Sequence, residues 1–378
     1  MLSQPETTAR APAEMQKKIY VFVIGTRAQL IKVAPVLVAC EKAELQCLLL
    51  MTGQHKETMQ DLVDEFGITS PQTFAIAAAE HSTVGSLVRW LPAAYRGVQS
   101  KLKEITDSGL NVDVLVHGDT LSTLIGAFAG FRSGARVVHL ESGLTSGRLL
   151  DPFPEEICRR LVFRLTDVAM CPDATSAKHM ARYKKATIVN THGNSILDAV
   201  LLTGATEIRP DENNPYIVVS LHRFQNIYNA NRLNYLVSTI QAISKHHRIH
   251  FILHPATRGR LAKAGLTSAL ESNENITLSA RMGYKAFIRL AAGSACVLTD
   301  GGSNQEELAF IGVPTVIMRA HTERLDGLNE NAVMESDISE GLESYMLNKS
   351  YLKTRRPSKT ISGETPSGAI VNALIRKH

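Results

Sequence analysis

The sequence predicts an α/β protein with two Rossmann-like, doubly wound domains and a ligand cleft between them. Three observations lead to this prediction. Short apolar runs of strand length alternate with longer stretches of helical spacing along nearly the whole chain. The runs are apolar throughout, which is typical of parallel strands that helices cover on both faces. The pattern stops near residue 191 and then starts again, which indicates a second parallel sheet.

The elements of the first half follow one another in a regular order. Strands are predicted over residues 18–26, 45–53, 112–120, 136–143 and 167–173. Helical spacing marks residues 27–43, 55–68, 121–135 and 154–166. Strands separated by helices in this way indicate a parallel sheet that is covered on both faces.

The second half repeats the arrangement. Its strands are predicted over residues 215–223, 247–255, 276–281, 294–302 and 313–319, and the last helix over 366–378. We therefore expect an N-terminal domain over 18–190 and a C-terminal domain over 191–365. Residues 1–17 are rich in Pro, Ala, Thr and Glu and are expected to be a disordered leader.

The bulk composition excludes several classes of protein. A chain of 378 residues with 44% hydrophobic and 20% charged residues is long enough for two ordinary domains. The net charge of +5 comes without a dense basic stripe, so we expect no nucleic-acid partner. No apolar run approaches the roughly 20 residues of a membrane helix, and the N-terminus has no secretory pattern. The cysteines are scattered without metal-ligand spacing, which indicates reduced thiols in a cytoplasmic compartment and no metal site: Cys40, Cys47, Cys158, Cys171 and Cys296.

Basic side chains follow the first strand. Gly25 allows a tight turn, and Arg27 and Lys32 lie at the start of the next helix. A helix N-terminus attracts phosphate, and Arg adds bidentate contacts. The alternative is an ordinary solvated helix start. The chain has neither GxGxxG nor GxxxxGK[ST], so neither a dinucleotide fingerprint nor a P-loop is predicted.

Acidic side chains follow the third and fourth strands. Asp119 and Glu141 end these strands, and Glu155 begins the next helix, with Arg159 four residues later. Individually, Asp119 fits a helix cap, and Glu155 with Arg159 fits a surface ion pair. Together the three carboxylates meet at one edge of the sheet, where mutual repulsion can raise a pKa into the range for proton transfer.

The second domain adds histidines and a glycine-rich turn. His222 and His254 each follow a strand, although a lone histidine is more often structural. Gly301 and Gly302 precede a helix whose first turn is expected to contain Ser303, Glu306 and Glu307. Such a turn can hold a diphosphate, and an acid nearby can accept ribose hydroxyls. The alternative is a plain helix start with an acidic first turn.

Taken together, these segments resemble the non-hydrolysing UDP-N-acetylglucosamine 2-epimerase family. The resemblance extends from about Val21 to Glu330 and keeps the family's order of motifs. The matching segments are GTRAQLIKVAPV, TGQHKE, GDTLST, HLESGLTSGRLLDPFPEEICRR, SLHRF, LTDGGSNQEE and MRAHTER.

The resemblance implies a fold and a reaction. The fold would be glycosyltransferase-B-like, with a nucleotide-binding C-terminal domain and the last helix packed back on the N-terminal domain. The reaction would interconvert UDP-N-acetylglucosamine and UDP-N-acetylmannosamine for surface polysaccharide synthesis. UDP would leave as the C2 proton is removed, giving a glycal, and would then add back. Neither cofactor nor metal would be needed, and family members are typically homodimers.

The resemblance also implies residue roles. Asp119, Glu141 and Glu155 would be the acid/base carboxylates, with His222 contacting the diphosphate and sugar. Substrate contacts would come from Arg27, Lys32, Arg159, Phe287, Gly301, Gly302, Ser303, Glu307 and Arg324. Many bacterial members have a second, activating nucleotide-sugar site, whose residues would correspond to Gln54, His55, Arg223 and His254.

Several positions depart from the family pattern. Ala28 and Gln29 replace a Pro-Glu pair, and Thr145 replaces an arginine. Phe224 and Gln225 stand where the family has Arg-Glu. A basic–Gln pair of the activating site is replaced by His81 and Ser82, which calls allosteric activation into question.

Three rival functions remain open at this point. A hydrolysing 2-epimerase would release N-acetylmannosamine and UDP. An inverting glycosyltransferase of the same fold would need an acceptor, and usually one general base rather than three acids. A UDP-sugar-binding sensor would bind the nucleotide without exchanging the C2 hydrogen.

Overall fold

The apolar runs of the sequence form two parallel β-sheets flanked by helices. The computed structural model describes residues 17–54, 59–77, 84–149, 153–322 and 325–376. Within these ranges, seven strands form the first sheet and six form the second. The inner strands are almost completely buried, as expected for sheets covered on both faces. The predicted α/β fold class is therefore confirmed.

The strands of the first sheet are β1 (Lys18–Ile24), β2 (Cys47–Met51), β3 (Gln72–Phe74), β4 (Asn111–His117), β5 (Arg136–Leu140), β6 (Val168–Cys171) and β7 (Thr187–Asn190). The strands of the second sheet are β8 (Tyr216–Ser220), β9 (Arg248–Leu253), β10 (Ile276–Ala280), β11 (Cys296–Thr299), β12 (Thr315–Ile317) and β13 (Ala332–Met334).

The helices up to residue 202 are α1 (Arg27–Lys42), α2 (Gln60–Phe66), α3 (Val84–Asp107), α4 (Leu121–Arg132), α5 (Glu155–Leu165), α6 (Ala174–Met180) and α7 (Ile196–Leu202). Those that follow are α8 (Phe224–Ile227), α9 (Ala230–Ser244), α10 (Pro255–Lys263), α11 (Thr267–Glu271), α12 (Tyr284–Ala292), α13 (Gly302–Ile311), α14 (Leu342–Leu347) and α15 (Pro366–Ile375).

The strand order creates one switch point in each sheet. The first sheet has the order β3-β2-β1-β4-β5-β6-β7, and the second has β10-β9-β8-β11-β12-β13. Each chain half therefore builds outward in one direction and then returns to the other side of its first strand. Ligands of such sheets bind beyond the carboxyl ends of the strands at this switch. The expected crevices lie after β1 and β4 and after β8 and β11.

Three strands were not predicted from the sequence. They are the short strands β3, β7 and β13, at the edges of the two sheets. β3 and β7 contain partly or largely exposed residues, so neither produces an apolar run. β13 has only three residues, too few to show a period.

The last helix contacts the first sheet's side of the molecule. Helix α15 packs against α1, α7 and β7. The Tyr20 hydroxyl donates to the Leu374 carbonyl at 3.2 Å, and the Ser367 N–H donates to the buried Asp198 carboxylate at 2.7 Å. Helix α7 also packs against α13 of the second half. The boundary between residues 190 and 191 stays a prediction, since α7 contacts elements of both halves.

Gly25 is required for close packing rather than for an unusual backbone angle. A Cβ atom at this position would lie 1.9 Å from the Ser122 hydroxyl oxygen. The turn between β1 and α1 therefore approaches α4 to a distance that only glycine permits. Helix α1 begins there with a capping box between Thr26 and Gln29.

None of the helices in the described part of the chain combines the length and apolar character that a membrane crossing requires.

Candidate active site

A cleft of about 870 Å³ lies between the carboxyl ends of the two sheets. The side of the first sheet contributes the turn after β1 and residues of α1, α2 and α7. The second sheet contributes the ends of β8, β9 and β11 and residues of α12 and α13. The predicted site residues that line this cleft are Arg27, His222, His254, Phe287, Gly301, Gly302, Ser303 and Glu307.

The three predicted carboxylates come close together at the edge of the first sheet. Asp119 follows β4, Glu141 follows β5, and Glu155 is the first residue of α5. Burial raises the pKa of Asp119, Arg159 opposes the shift, and the charges of Glu141 and Glu155 add to it. The three groups therefore interact electrostatically, although none of them is among the residues that line the cleft.

Glu141 has a strained backbone conformation, and neighbouring side chains bind its carboxylate. Its φ angle of 58° lies in the left-handed region, which a non-glycine residue rarely adopts. Its carboxylate accepts from Lys32 Nζ at 2.5 Å and from the Asn194 side-chain amide, and His117 Nε2 lies at 3.7 Å. Backbone strain of this kind persists only where the surroundings over-determine it, and it is concentrated at functional sites.

Lys32 connects Glu141 to the other half of the molecule. The lysine side chain is only 6% exposed, and Nζ lies 3.9 Å from Glu306 Oε2 on α13. The buried ammonium group therefore lies between a carboxylate of the first half and one of the second. This contact places Glu141 next to the junction of the two halves.

Arg159 contacts a different carboxylate from the one suggested by its spacing. Its guanidinium lies 2.5 Å from Asp119 and 3.3 Å from Glu156. Among the described residues, no ion pair joins it to Glu155, whose Oε2 is buried without a hydrogen-bond partner. The alternative reading of Glu155 and Arg159 as a surface ion pair is therefore not what the structure shows, because Arg159 pairs with Asp119 after β4 instead.

Arg27 lies in the cleft but is held by a neighbour. Both of its terminal nitrogens donate to Asp61 at 2.5 Å. The hydrogen bond from Arg27 lowers the pKa of Asp61, outweighing the opposing effect of its partial burial. A bidentate pair of this kind fixes the guanidinium plane in advance of ligand binding.

His222 lies on the opposite wall of the cleft beside Asp300. Its Nδ1 is 3.2 Å from Asp300 Oδ1, and its backbone N–H donates to the same carboxylate. The ring of His254 lies 5.5 Å away, centroid to centroid. His254 also caps α10, with its Nδ1 accepting from the Ala256 N–H at 3.4 Å.

The glycine-rich turn opens α13 toward the cleft. Gly301 is the N-cap and Gly302 the first helical residue, and Ser303 follows on the cleft wall. The helix begins at Gly302, so Glu306 and Glu307 lie in its second turn. The sequence had predicted both residues in the first turn. Glu307 accepts from the Asn304 amide at 3.0 Å. Burial and the nearby Glu307 charge raise the pKa of Tyr284 well above its usual value, so this cleft phenol stays neutral.

The described residues among those expected at an activating site do not share one cavity. His254 lines the cleft, whereas Arg223 lines a separate cavity of about 660 Å³. Gln54 accepts a hydrogen bond from the Ser122 hydroxyl at 2.6 Å. His55, together with His81 and Ser82, lies outside the described residues, as does Arg324.

Two departures from the family pattern have structural roles. Gln29 is buried and donates to the His117 carbonyl at 2.8 Å and to Thr123 Oγ1 at 2.9 Å. Thr145 donates to Glu156 Oε1 at 2.6 Å. Both side chains support segments that carry site residues, namely the end of β4 and the start of α5.

Sequence reasoning missed three residues of the site: His117, Asn194 and Asp300. His117 is buried at the end of β4, where the sequence pattern indicates only an ordinary strand residue. Asn194 lies in a turn-rich segment with no periodicity. Asp300 stands in the LTDGG segment, directly before the two glycines. This position was the sequence feature that could have identified it as a site residue. In the part of the chain that the structure describes, no group of three or more His, Cys, Asp or Glu side chains is arranged to hold a metal ion.

Two doubly wound domains facing each other across a cleft, with polar side chains at the carboxyl ends of both sheets, define a glycosyltransferase-B-like architecture. The sequence model of the UDP-N-acetylglucosamine 2-epimerase family matches residues 38–360. A UDP-N-acetylglucosamine 2-epimerase of Methanococcus maripaludis is 30% identical over 375 residues, covering 93% of this chain and 97% of the relative. The chain therefore belongs to the UDP-N-acetylglucosamine 2-epimerase family, which confirms the resemblance.

Further relatives agree with this assignment. The UDP-N-acetylglucosamine 2-epimerase of Bacillus subtilis is 26% identical over 329 residues, covering 83% of this chain and 82% of the relative. The crystal structure of the Methanocaldococcus jannaschii UDP-GlcNAc 2-epimerase in complex with UDP-GlcNAc and UDP has a TM-score of 0.72 and 25% identity. That likeness covers 95% of this chain and 99% of the crystallised one.

Proposed function

We propose that this protein is a cytoplasmic enzyme that reversibly epimerises UDP-N-acetylglucosamine at C2 to UDP-N-acetylmannosamine. The observation that carries the proposal is the cluster of Asp119, Glu141 and Glu155 beside a cleft whose walls hold Arg27, His222 and the start of α13. Carboxylates move protons, whereas cations and helix N–H groups stabilise a diphosphate. Elimination and re-addition of UDP uses both sets of groups together.

The carboxylates are suited to different steps. Asp119 has a raised pKa, so it is the best candidate to hold and donate a proton. Glu141 accepts from Lys32 and Asn194, as an ionised carboxylate does. Glu155 has a buried oxygen without a partner among the described residues, which suits it to accept a substrate proton. A positioned proton-transfer group typically contributes about 10²–10⁴-fold to the rate.

The opposite wall is suited to the leaving group. When UDP detaches from C1, negative charge develops on its terminal phosphate. The N-terminus of α13, between Gly301 and Ser303, presents backbone N–H groups to such an anion. Arg27 and His222 line the same cleft and can add donors from two sides. UDP held there would remain available to add back to the glycal.

The product distinguishes this proposal from its rivals. The purified protein is incubated with UDP-N-acetylglucosamine and no acceptor, and the mixture is analysed by phosphorus NMR and anion-exchange chromatography. We expect a stable mixture of the two UDP-sugars. Free N-acetylmannosamine with stoichiometric UDP would instead identify a hydrolysing enzyme. An unchanged substrate would favour a glycosyltransferase or a sensor.

We further propose a homodimer that supplies UDP-N-acetylmannosamine to surface polysaccharide synthesis. The support is the family membership of the chain. Sedimentation velocity of the purified protein tests the assembly directly, since a dimer would give a molar mass about twice the 41.3 kDa of one chain.

A further inference from the structure

The segment after β8 is organised around a single buried carboxylate. Asp300 follows β11, and its side chain has no exposed surface. Its Oδ2 accepts from the Arg223 N–H at 2.9 Å and from Asn226 Nδ2 at 2.8 Å. The His222 N–H lies 3.0 Å from both of its oxygens. The carboxylate thereby joins the ends of β8 and β11, the two strands at the switch point of the second sheet.

The other oxygen of Asp300 faces the His222 ring. Oδ1 lies 3.2 Å from His222 Nδ1. An ionised carboxylate only accepts hydrogen bonds, so the nitrogen beside it has to carry a proton. The ring lines the cleft and is 39% exposed, so its other nitrogen, Nε2, is left on the open side.

The orientation of Asn226 is fixed by its own neighbours. Its Oδ1 accepts from Arg232 Nε at 3.1 Å, and Arg232 is paired with Glu335 at 2.9 Å. Its Nδ2 also donates to the Met318 carbonyl at 2.7 Å. Asn226 can therefore only donate toward Asp300, and Oδ2 of Asp300 is bound to two groups that cannot accept.

From this geometry we infer that Asp300 is a positioning residue that holds His222 in the Nδ1–H form and presents Nε2 to the nucleotide-sugar in the cleft. Neutral His222 then offers a lone pair to the cleft, and protonated His222 offers an N–H to a phosphate oxygen. The hydrogen bond that one ring nitrogen makes with a positioning partner decides whether the other nitrogen of a neutral histidine carries the proton. The role in turnover depends on the proposed epimerase function, whereas the protonation site does not.

The network predicts a specific result for Asp300→Asn. The amide oxygen must occupy the Oδ2 position, because Arg223 N–H and Asn226 Nδ2 are donors only. The amide NH₂ then faces His222 Nδ1, which has to accept. The proton moves to Nε2, and neutral His222 loses its lone pair on the cleft side.

Nitrogen-15 NMR of histidine-labelled protein tests this inference. Spectra are recorded at a pH where imidazoles are neutral, and His222 is assigned with His222→Gln. Wild type should carry the proton on Nδ1, and Asp300→Asn should carry it on Nε2. His254 is an internal control, since its Nδ1 accepts from Ala256 N–H and its proton stays on Nε2 in both proteins. Asn226→Ser removes one donor to Asp300 but should leave the His222 proton on Nδ1.

A wild-type spectrum with the His222 proton on Nε2 would overturn the inference even if Asp300→Asn failed to fold. An unchanged proton position in a folded Asp300→Asn protein would also overturn it. In the epimerase assay, Asp300→Asn should lower kcat/KM by about 10–100-fold. Complete absence of epimerase activity in wild type would refute the proposed function while leaving the NMR result to decide the role of Asp300.

Discussion

The buried ion pair between Lys32 and Glu141 permits a quantitative prediction. The two side chains are 6% and 9% exposed, and their charged atoms are 2.5 Å apart. Lys32→Met leaves Glu141 buried without its ammonium partner. Removing one member of a buried pair typically costs about 3–5 kcal/mol of unfolding free energy. We expect a loss near the lower end, about 3 kcal/mol, because Asn194 still donates to Glu141 and His117 remains nearby.

Urea denaturation and thermal unfolding provide the measurement. A loss of about 3 kcal/mol corresponds to a decrease in Tm of roughly 6–12 °C for domains of this size. The matched control is Lys101→Met, which breaks a surface pair with Glu104 and should change stability by less than about 0.5 kcal/mol. Lys32→Met with Glu141→Gln should recover part of the loss, because the uncompensated charge is gone. A Lys32→Met protein as stable as the control would refute the reasoning.

Four further predictions follow. Asp119→Asn, Glu141→Gln and Glu155→Gln should each lower turnover by about 10²-fold or more while UDP still binds in calorimetry, and near-normal turnover would remove that residue from the acid/base set. Because burial raises the pKa of Asp119, the native state binds the Asp119 proton more tightly than the unfolded chain does. The resulting contribution to the free energy of unfolding is present below an ordinary Asp pKa of about 4 and is lost as pH rises through the raised native pKa. Urea titrations at several pH values should therefore show Asp119→Asn gaining stability relative to wild type as pH rises, and a constant difference would contradict this. Asp198→Ala should lose about 1–3 kcal/mol by leaving the Ser367 N–H without its acceptor, and unaltered denaturation would show that α15 is held by other contacts. Small-angle scattering should show a smaller radius of gyration with UDP as the domains close on it, and identical curves would count against closure.

Much of the fold could be predicted because its strands are long apolar runs. β1, β4 and β8 are buried on both faces, and no polar residue interrupts the centre of β1 or β8. Because ligands of parallel sheets bind beyond the carboxyl ends of the strands, the sequence placed Asp119, Glu141 and His222 at the carboxyl edges of their sheets, where the structure also has them. The short edge strands were missed because runs of three or four residues are too short to show a period, and β3 and β7 are also partly or largely exposed.

The contacts between site residues could not be predicted from local pattern. Lys32 and Glu141 are 109 positions apart, and nothing in the neighbourhood of either indicates that they meet. The i,i+4 rule suggested that Arg159 would pair with Glu155, yet tertiary packing directs it to Asp119. Asn194 donates to Glu141 from an irregular segment, which helix and strand propensities do not mark.

Proton NMR of UDP-N-acetylglucosamine with the wild-type protein in D₂O is the most direct test of the central claim. Removal and return of the C2 hydrogen by carboxylates exchanges it with solvent. We therefore predict that the H2 signal disappears as UDP-N-acetylmannosamine forms, with deuterium at C2 of the product. Formation of the epimer with protium retained at C2, or no change at either position, would contradict the account.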